Sequence, residues 1–468
     1  MSGIFQRAIQ SLQHATIRTL CGGAVVVGTL EVTTHLPSEG RSSAFYHGLA
    51  DNWVVPAMRR LLGPEEAHKA ALQIAFLAPT HRPSANEQKL NVEVRLWENR
   101  KKTQGKVFAN PIGLAAGYDK DGTAISSLMA MGFGFVEVGS VCLQAQPGNP
   151  SPRMFRLLED EAIINRYGFN SMGANAVEEH LKDYREQEAA LKLSKSKSSW
   201  EQKVFDFLWP GTKDVVQGVV GINLGKNKTS TTPLEDYQKL ILQLGPYADY
   251  LVINVSCPNI SGLRALQSTF SLEGLLKGCQ EAVQQLADDG PKPPLLVKLS
   301  PDLTDSQLED IAAVLMKLEI DGIILTNTTT SRENLASKNK VQQGGLSGKP
   351  LKERSTECIR VLYHFTKGKI PIIGVGGVQN GRDAYEKFRA GASLVQVYSG
   401  MIYEGPGMVS KIRDEVAELM LQNGQRDLQA ELVGVDHDDL IFRKKRIQHE
   451  QSKQQAVDAE EDGIVKLE

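Results

Sequence analysis

Eight short apolar runs, rich in β-branched residues and separated by stretches of helical periodicity, constrain the fold of this chain more than any other feature. They are IGLAAG (112–117), FVEVGSV (135–141), VVGINL (219–224), YLVINVS (250–256), LLVKLS (295–300), GIILTNT (322–328), PIIGVGG (371–377) and LVQVYS (394–399). Parallel strands are covered by helices on their outer faces, so they read as continuous apolar runs rather than as alternating ones. Eight of them with helical connections predict an α/β fold, a (β/α)8 (TIM) barrel. A doubly wound sheet is the main competitor, but it calls for a GxGxxG turn after the first strand, and none stands there.

Before the barrel, the first 30 residues carry Arg7, His14 and Arg18 but no acid until Glu31, with Ile4, Phe5, Ala8, Leu12 and Ala15 at helical spacing. That pattern reads as a mitochondrial transit peptide. The apolar run Leu20 to Leu30 is shorter than the roughly 20 residues that span a bilayer. A longer helix from Ile17 to Leu36 remains open as an imperfect insertion. Residues 1–43 are therefore a targeting segment, read either as a cleaved leader or as an import signal followed by a membrane anchor. Residues 44–90 hold two amphipathic helical patterns, Phe45, Leu49, Trp53, Val54 and Met58, then Ala67, Ala71, Leu72, Ala75 and Phe76, broken at Gly63–Pro64. Such a pair is either simple packing or a platform beside the membrane.

The barrel is expected over residues 91–437. A polar, Lys/Ser-biased insertion at 184–214 reads as a surface loop, and residues 438–468, with RKKR at 443–446, as a charged, solvated tail. With 53 basic against 55 acidic residues the net charge is -2, so no global field draws the chain to nucleic acid. The five cysteines form no CxxC pair, which fits a reducing compartment and offers no zinc site. No metal is expected.

In such barrels chemistry sits at the C-terminal ends of the strands. Here those ends carry AAGYDKDG, then Gly139 and Ser140, Asn223, Asn254 and Cys257, Lys298, and Thr326, Asn327 and Thr328. A single Asn or Ser among them reads first as a helix N-cap. Together they point to a polar ligand, because amides converging inward from separate strands are costly unless something satisfies them. GVGG at 374–377, YSG at 398–400 and the glycine-rich turn GGLSGKP at 344–350 offer backbone N–H groups where barrels hold phosphate. Lys298, inside an apolar strand, either snorkels outward or faces an anion in the barrel mouth; the second reading fits a flavin.

The motifs NPIGLAAGYDKDG, GFGFVEVGSV, PRMFRL, INRYGFNSMG, NLGKNK, NVSCPNISGLR, LTNTT, GGLSGKPL, IIGVGGV and GASLVQVYS follow one another in order. From about residue 45 to about 437 the chain resembles the dihydroorotate dehydrogenases, specifically the class 2, quinone-dependent mitochondrial type. The resemblance implies an FMN flavoprotein of pyrimidine (UMP) synthesis that oxidises (S)-dihydroorotate to orotate and passes electrons to ubiquinone at the mitochondrial inner membrane. Neither nucleic acid nor an obligate protein partner is implied.

It also assigns residues. Flavin contacts fall on Ala115, Ala116, Gly117, Lys120, Gly139, Ser140, Asn223, Asn254, Lys298, Thr326, Ser347, Gly348, Gly376, Gly377, Tyr398 and Ser399. Substrate contacts fall on Lys120, Asn165, Tyr167, Gly168, Phe169, Asn254, Asn259, Asn327 and Thr328. A quinone tunnel under the helix pair takes Val55, Met58, His68, Ala71, Ile74, Tyr118, Arg156 and Tyr398.

Cys257 stands at the base position, where it removes the C5 proton while hydride leaves C6 for flavin N5. Most class 2 enzymes resembled here have serine there, and cysteine is usual in class 1. A thiol has a reference pKa near 8.5, so easier ionisation and a lower pH optimum are expected. The neighbouring Ser256 remains an alternative base, with Cys257 as an inert buried thiol. Two rival readings are an RNA-modifying flavin barrel such as a dihydrouridine synthase, which calls for a basic docking surface, and a tethered barrel kept as a binding scaffold.

Overall fold

The computed structural model describes residues 48–77, 80–81, 83–98, 103–195, 218–286 and 292–437. Strands are numbered in chain order. An antiparallel pair, β1 (Val94–Leu96) and β2 (Lys106–Phe108), precedes the barrel. The barrel itself consists of β3 (Ile112–Leu114), β4 (Phe135–Val141), β7 (Val219–Leu224), β8 (Tyr250–Asn254), β9 (Leu295–Leu299), β10 (Gly322–Leu325), β12 (Ile372–Val375) and β13 (Leu394–Val397), one from each apolar run. All pair in parallel, and the cylinder closes where Val395, Gln396 and Val397 meet Ile112, Gly113 and Leu114.

Every residue of these eight strands is buried, which is why their sequences do not alternate. Large and small side chains interlock across them. A Cβ on Gly113 would lie 2.3 Å from the Phe135 ring, so β3 makes room for the aromatic of β4. The helices that wrap the barrel begin where local chemistry starts them. Thr304 and Gln307 form a capping box ahead of Asp305–Lys317, and the Asn380 side chain accepts from Asp383 N ahead of Gly381–Arg389.

Two expectations change. The GGLSGKP segment is not a simple turn: Gly345–Gly348 forms β11, which joins β5 (Met154–Leu157) and β6 (Ala162–Asn165) in an antiparallel sheet. β5 and β6 form a local hairpin, but β11 reaches it from far along the chain, and a remote four-residue strand leaves no local pairing signal. The start of the 184–214 insertion is helix rather than loop, because the helix Ala174–Lys195 runs through it. Tyr184 is buried, and Arg185 pairs with Asp249 at 2.8 Å. The remainder, 196–214, lies outside the described residues.

Of the helix pair, α1 spans Val55–Leu61 and α2 spans Pro64–Ile74, with a turn of π-helix, Ala50–Val54, leading in and the break at Gly63–Pro64. No residue of α1 is fully buried. Of the apolar positions expected to pack, Trp53 and Phe76 stay 72% and 70% exposed, as does Leu61 at 81%. Polar contacts fasten the pair to the barrel: Arg153 Nη2 to Glu65 Oε1 at 2.7 Å, and Arg156 Nη1 to the Arg59 and Leu62 carbonyls at 2.9 and 3.2 Å. Among the described residues no helix is long and apolar enough to cross a membrane. Residues 1–43 and 438–468, with the transit peptide, anchor and tail expectations, lie outside them.

Candidate active site

The C-terminal ends of the barrel strands, roofed by β5, β6 and β11, enclose a cleft whose empty volume, counted out to open solvent, is ≈ 1040 Å³. Its walls bring together Ala115, Ala116, Gly117, Lys120, Ser140, Asn165, Tyr167, Gly168, Phe169, Asn254, Cys257, Asn259, Lys298, Thr326, Asn327, Thr328, Ser347, Gly348, Gly376, Gly377, Tyr398 and Ser399. Two expected flavin contacts, Gly139 and Asn223, are not in the wall. Asn223 lies one layer beneath it and works through its neighbours.

That layer is a chain of amides anchored on a carboxylate. Glu137, fully buried in β4, accepts from Asn223 Nδ2 at 2.8 Å and from Gln396 Nε2 at 2.6 Å, and stands 3.5 Å from Lys298 Nζ. Lys298 thus points inward, toward a carboxylate as well as the cleft, and does not snorkel. Ser140 Oγ donates to Asn223 Oδ1, and Asn254 Nδ2 donates to Ser140 Oγ at 2.9 Å and to Asn223 Oδ1 at 3.1 Å. Asn254 Oδ1 in turn accepts from Ser256 Oγ at 3.1 Å and Asn327 Nδ2 at 3.3 Å. Side chains linked in this way hold one orientation before any ligand arrives. Glu137 and Gln396 were missed in the sequence, although each carries the signal that singled out Lys298: a polar residue inside an apolar strand.

Cys257 lies just past the end of β8 and is 8% exposed, at the cleft wall among Cys142, Phe169, Ile260 and Leu263. Burial pushes its thiol up to about 11, against the lowering effect of the Asn259 backbone N–H and the Arg264 guanidinium. The expected easier ionisation is therefore not what this site provides; desolvation outweighs the nearby positive charge. Ser256, the alternative base, is fully buried, does not line the cleft, and has its hydroxyl committed to Asn254 and Asn327, the latter at 2.9 Å. Arg264 clamps the cysteine loop: it donates to the Ser256 carbonyl at 3.2 Å, the Thr328 carbonyl at 3.1 Å and Asp302 Oδ2 at 2.7 Å.

Across the cleft, Lys120 Nζ sits 4.1 Å from the centroid of the Tyr167 ring, and burial holds its pKa down to about 8. Asn259 Nδ2 donates to the Asn165 carbonyl at 3.1 Å, joining the cysteine loop to the roof. At the far end, Gly376 and Gly377 turn with φ of +126° and +72°. A Cβ on Gly377 would lie 2.4 Å from Lys352 Cα, so the loop backbone packs directly on the helix Lys352–Thr366. Ser399 Oγ donates to Ser347 Oγ at 2.8 Å at the same pole.

A second, smaller cavity of ≈ 410 Å³ lies under the helix pair, lined by Val55, Met58, Arg59, Pro64, Ala67, His68, Ala71, Tyr118, Arg156, Met401 and Ile402. Six of the eight expected tunnel residues are in this wall. Ile74 is not, and Tyr398 instead faces the main cleft with its ring 5.9 Å from that of Tyr118. Tyr118 and Tyr398 thus stand between the two cavities. His68 Nε2 meets the Tyr118 carbonyl at 2.7 Å, and burial with the nearby Lys120 charge lowers its pKa to about 3, so the imidazole is neutral. Arg156 Nε and Nη2 are buried without a hydrogen-bond partner.

A family model described as Dihydroorotate dehydrogenase matches residues 99–420. The mitochondrial dihydroorotate dehydrogenase (quinone) of Mus musculus is 44% identical over 412 residues, covering 88% of this chain and 95% of that one. That of Arabidopsis thaliana is 46% identical over 388 residues (82% and 81%), and the dihydroorotate dehydrogenase (quinone) of Rhodospirillum rubrum 43% over 380 residues (81% and 92%). Among solved structures, the crystal structure of DHODH in complex with ferulenol from Eimeria tenella matches with a TM-score of 0.69 at 37% identity, covering 81% of this chain and 99% of that one.

Proposed function

The chain belongs to the dihydroorotate dehydrogenase family and oxidises dihydroorotate with a quinone as electron acceptor; from that premise we propose that the main cleft holds FMN, that Cys257 is the base, and that quinone enters beneath the helix pair. The observation that carries this reading is the junction, at Tyr118 and Tyr398, of two cavities, one where polar side chains converge from the barrel strand ends and one largely apolar beneath the helix pair.

The cleft residues fit a flavin nucleotide. Thr326 Oγ1 and Gln396 Oε1 are buried at the cleft without a hydrogen-bond partner, which is costly unless a ligand supplies one. Lys298 suits the pyrimidine edge of the ring, and the Gly376–Gly377 loop with Ser347 and Ser399 suits the phosphate. When bound, the flavin supplies a hydride acceptor and a carrier of electrons to quinone.

The chain's own residues do the rest. Lys120, Asn165, Asn254, Asn259, Asn327 and Thr328 hold the carboxylate and amide edges of dihydroorotate; hydrogen bonds pair Asn165 with Asn259 and join Asn254, Asn327 and Thr328, and the Tyr167 ring seats Lys120. Cys257 Sγ accepts the proton from C5. Because burial raises its pKa, thiolate is scarce near neutrality, and proton removal speeds up with pH through that range. In the smaller cavity, Arg156 Nε and Nη2 are donors for a quinone carbonyl, while neutral His68 adds no further charge to the wall.

The mitochondrial names of the relatives from Mus musculus, Arabidopsis thaliana and Oryza sativa support a mitochondrial location. We assign the inner membrane as the site, with exposed Trp53, Leu61 and Phe76 as the apolar surface that meets it. Steady-state turnover with a short-chain ubiquinone, fumarate and NAD as alternative acceptors tests the scheme. Turnover with quinone alone is expected; preference for fumarate or NAD would overturn the quinone route.

A further inference from the structure

Lys387 is fully buried, on the helix Gly381–Arg389 that follows β12. Its Nζ donates to Ser355 Oγ at 2.9 Å and Thr356 Oγ1 at 3.0 Å, both neutral, and among the described residues no carboxylate forms an ion pair with it. A lysine so placed is expensive, and an aliphatic side chain of similar length would fill the space without desolvating a charge. Ser355 Oγ donates onward to the Val375 carbonyl at 2.7 Å. The next residue is Gly376, where an added Cβ would come within 3.1 Å of the same hydroxyl. The ammonium therefore stands one hydroxyl behind the loop assigned above to the phosphate.

We propose that Lys387 is a positioning residue for the flavin phosphate: without touching the ligand, it places a second positive charge behind Gly376–Gly377 and fixes that loop through Ser355. The inference rests on the reading that FMN occupies the cleft. An incoming phosphate dianion supplies the counter-charge that the lysine lacks, and the two stabilise each other across a dry layer of protein.

The other charged and titratable groups near Lys387 are Asp383 on its own helix and Lys352, Glu353 and Cys358 on Lys352–Thr366. Asp383 is already engaged with Lys352 Nζ at 3.2 Å and Gln379 N at 3.0 Å. In the ligand-free protein burial lowers the Lys387 pKa to about 7. A bound dianion raises it again, so FMN binding above about pH 7 draws a proton onto Nζ. The phosphate is by then fully ionised, its second pKa being about 6. Riboflavin, which lacks the phosphate, leaves Lys387 as it was.

The test uses the full-length chain stripped of flavin and titrated at pH 8.5 with FMN and with riboflavin by calorimetry, in two buffers of different ionisation enthalpy. The native chain is expected to take up more protons with FMN than with riboflavin. Lys387→Met is expected to lose FMN affinity by about tenfold to hundredfold, to change riboflavin affinity by less than about threefold, and to lose the extra proton uptake. Ser355→Ala, which keeps the charge and breaks the relay, is expected to lose less. Equal proton uptake for the two flavins on the native chain, or an unchanged FMN-to-riboflavin ratio in a folded Lys387→Met chain, overturns the proposal while leaving the flavin site standing. A native chain that binds neither flavin overturns both.

Discussion

At the barrel mouth, side chains from β4, β7, β8 and β13 and from the segment just past β10 are tied to one another through Glu137, Ser140, Asn223, Asn254, Asn327 and Gln396, and the barrel strands are buried throughout. Beside it, α1 has no fully buried residue and is held mainly by polar contacts at its edges, while three large apolar side chains of this region face outward. On the function proposed above, the two regions serve different ligands. A small, rigid, multiply hydrogen-bonding acid is recognised by fixed donors and acceptors, which a packed barrel supplies. An apolar molecule arriving from a membrane needs a wall that opens cheaply, and a half-buried helix supplies that.

The sharpest way to break this comparison is to disable one side and watch the other. Cys257→Ala is expected to slow flavin reduction by dihydroorotate about a thousandfold, and to leave reoxidation by quinone unchanged in stopped-flow traces. Cys257→Ser is expected to keep partial activity with the rising limb of its pH profile displaced to higher pH. Equal slowing of both half-reactions by Cys257→Ala would mean that the cavities are not functionally separate.

Next in size is Glu137→Ala, which leaves Lys298 and two amides facing an empty position; a loss of about 3 kcal/mol in unfolding free energy is expected from denaturant titration. A near-neutral effect would show that the layer beneath the cleft is not structurally committed. On the other side, Arg156→Met is expected to raise the quinone KM about tenfold, the worth of a charge-assisted hydrogen bond, with dihydroorotate reduction of the flavin untouched. A shift in the dihydroorotate KM instead would move Arg156 to the wrong cavity.

The smallest effect concerns pH and the seat of the helix pair. Asp51 has its pKa raised to about 6 by burial, against an ordinary value of 3.8. A carboxyl whose folded pKa is raised contributes stability that is complete below 3.8 and lost as pH rises through about 6. Amide protection factors in α1, taken against the intrinsic rate at each pH, are therefore expected to fall between these values, and Asp51→Asn to remove that fall while leaving protection in the barrel strands unaffected. Equal pH response in both regions would erase the contrast.

Much of the barrel was legible because burial on both faces leaves an unambiguous mark, a run of β-branched residues with one polar residue at its end. Cys257 and Asn254 stood out for that reason. Glu137 carried a local mark, an acid inside an apolar run, but its partners Asn223 and Gln396 come from strands 86 and 259 residues away, so the sequence does not show what satisfies it. In the β5–β6–β11 sheet the strands are four residues long, and β11 joins the β5–β6 hairpin from far along the chain, so its membership left no local mark. Nor did the thiol's reference pKa foretell its value in place, since the desolvation that raises it comes from Phe169, Ile260 and Leu263 folding around it. In the helix pair the periodicity of apolar residues was plain, but periodicity does not distinguish a stripe facing a core from one facing outward, and Trp53 and Phe76 face outward.

The central claim is that the cleft at the barrel mouth reduces a bound flavin and a separate cavity under the helix pair reoxidises it. Anaerobic mixing of the purified holoenzyme with dihydroorotate, followed by a short-chain ubiquinone, tests it most directly. The yellow absorbance is expected to bleach in the first step and recover in the second, with Cys257→Ala blocking only the first and Arg156→Met impairing only the second. Bleaching that proceeds at the native rate in Cys257→Ala, or recovery that ignores Arg156, would contradict the account.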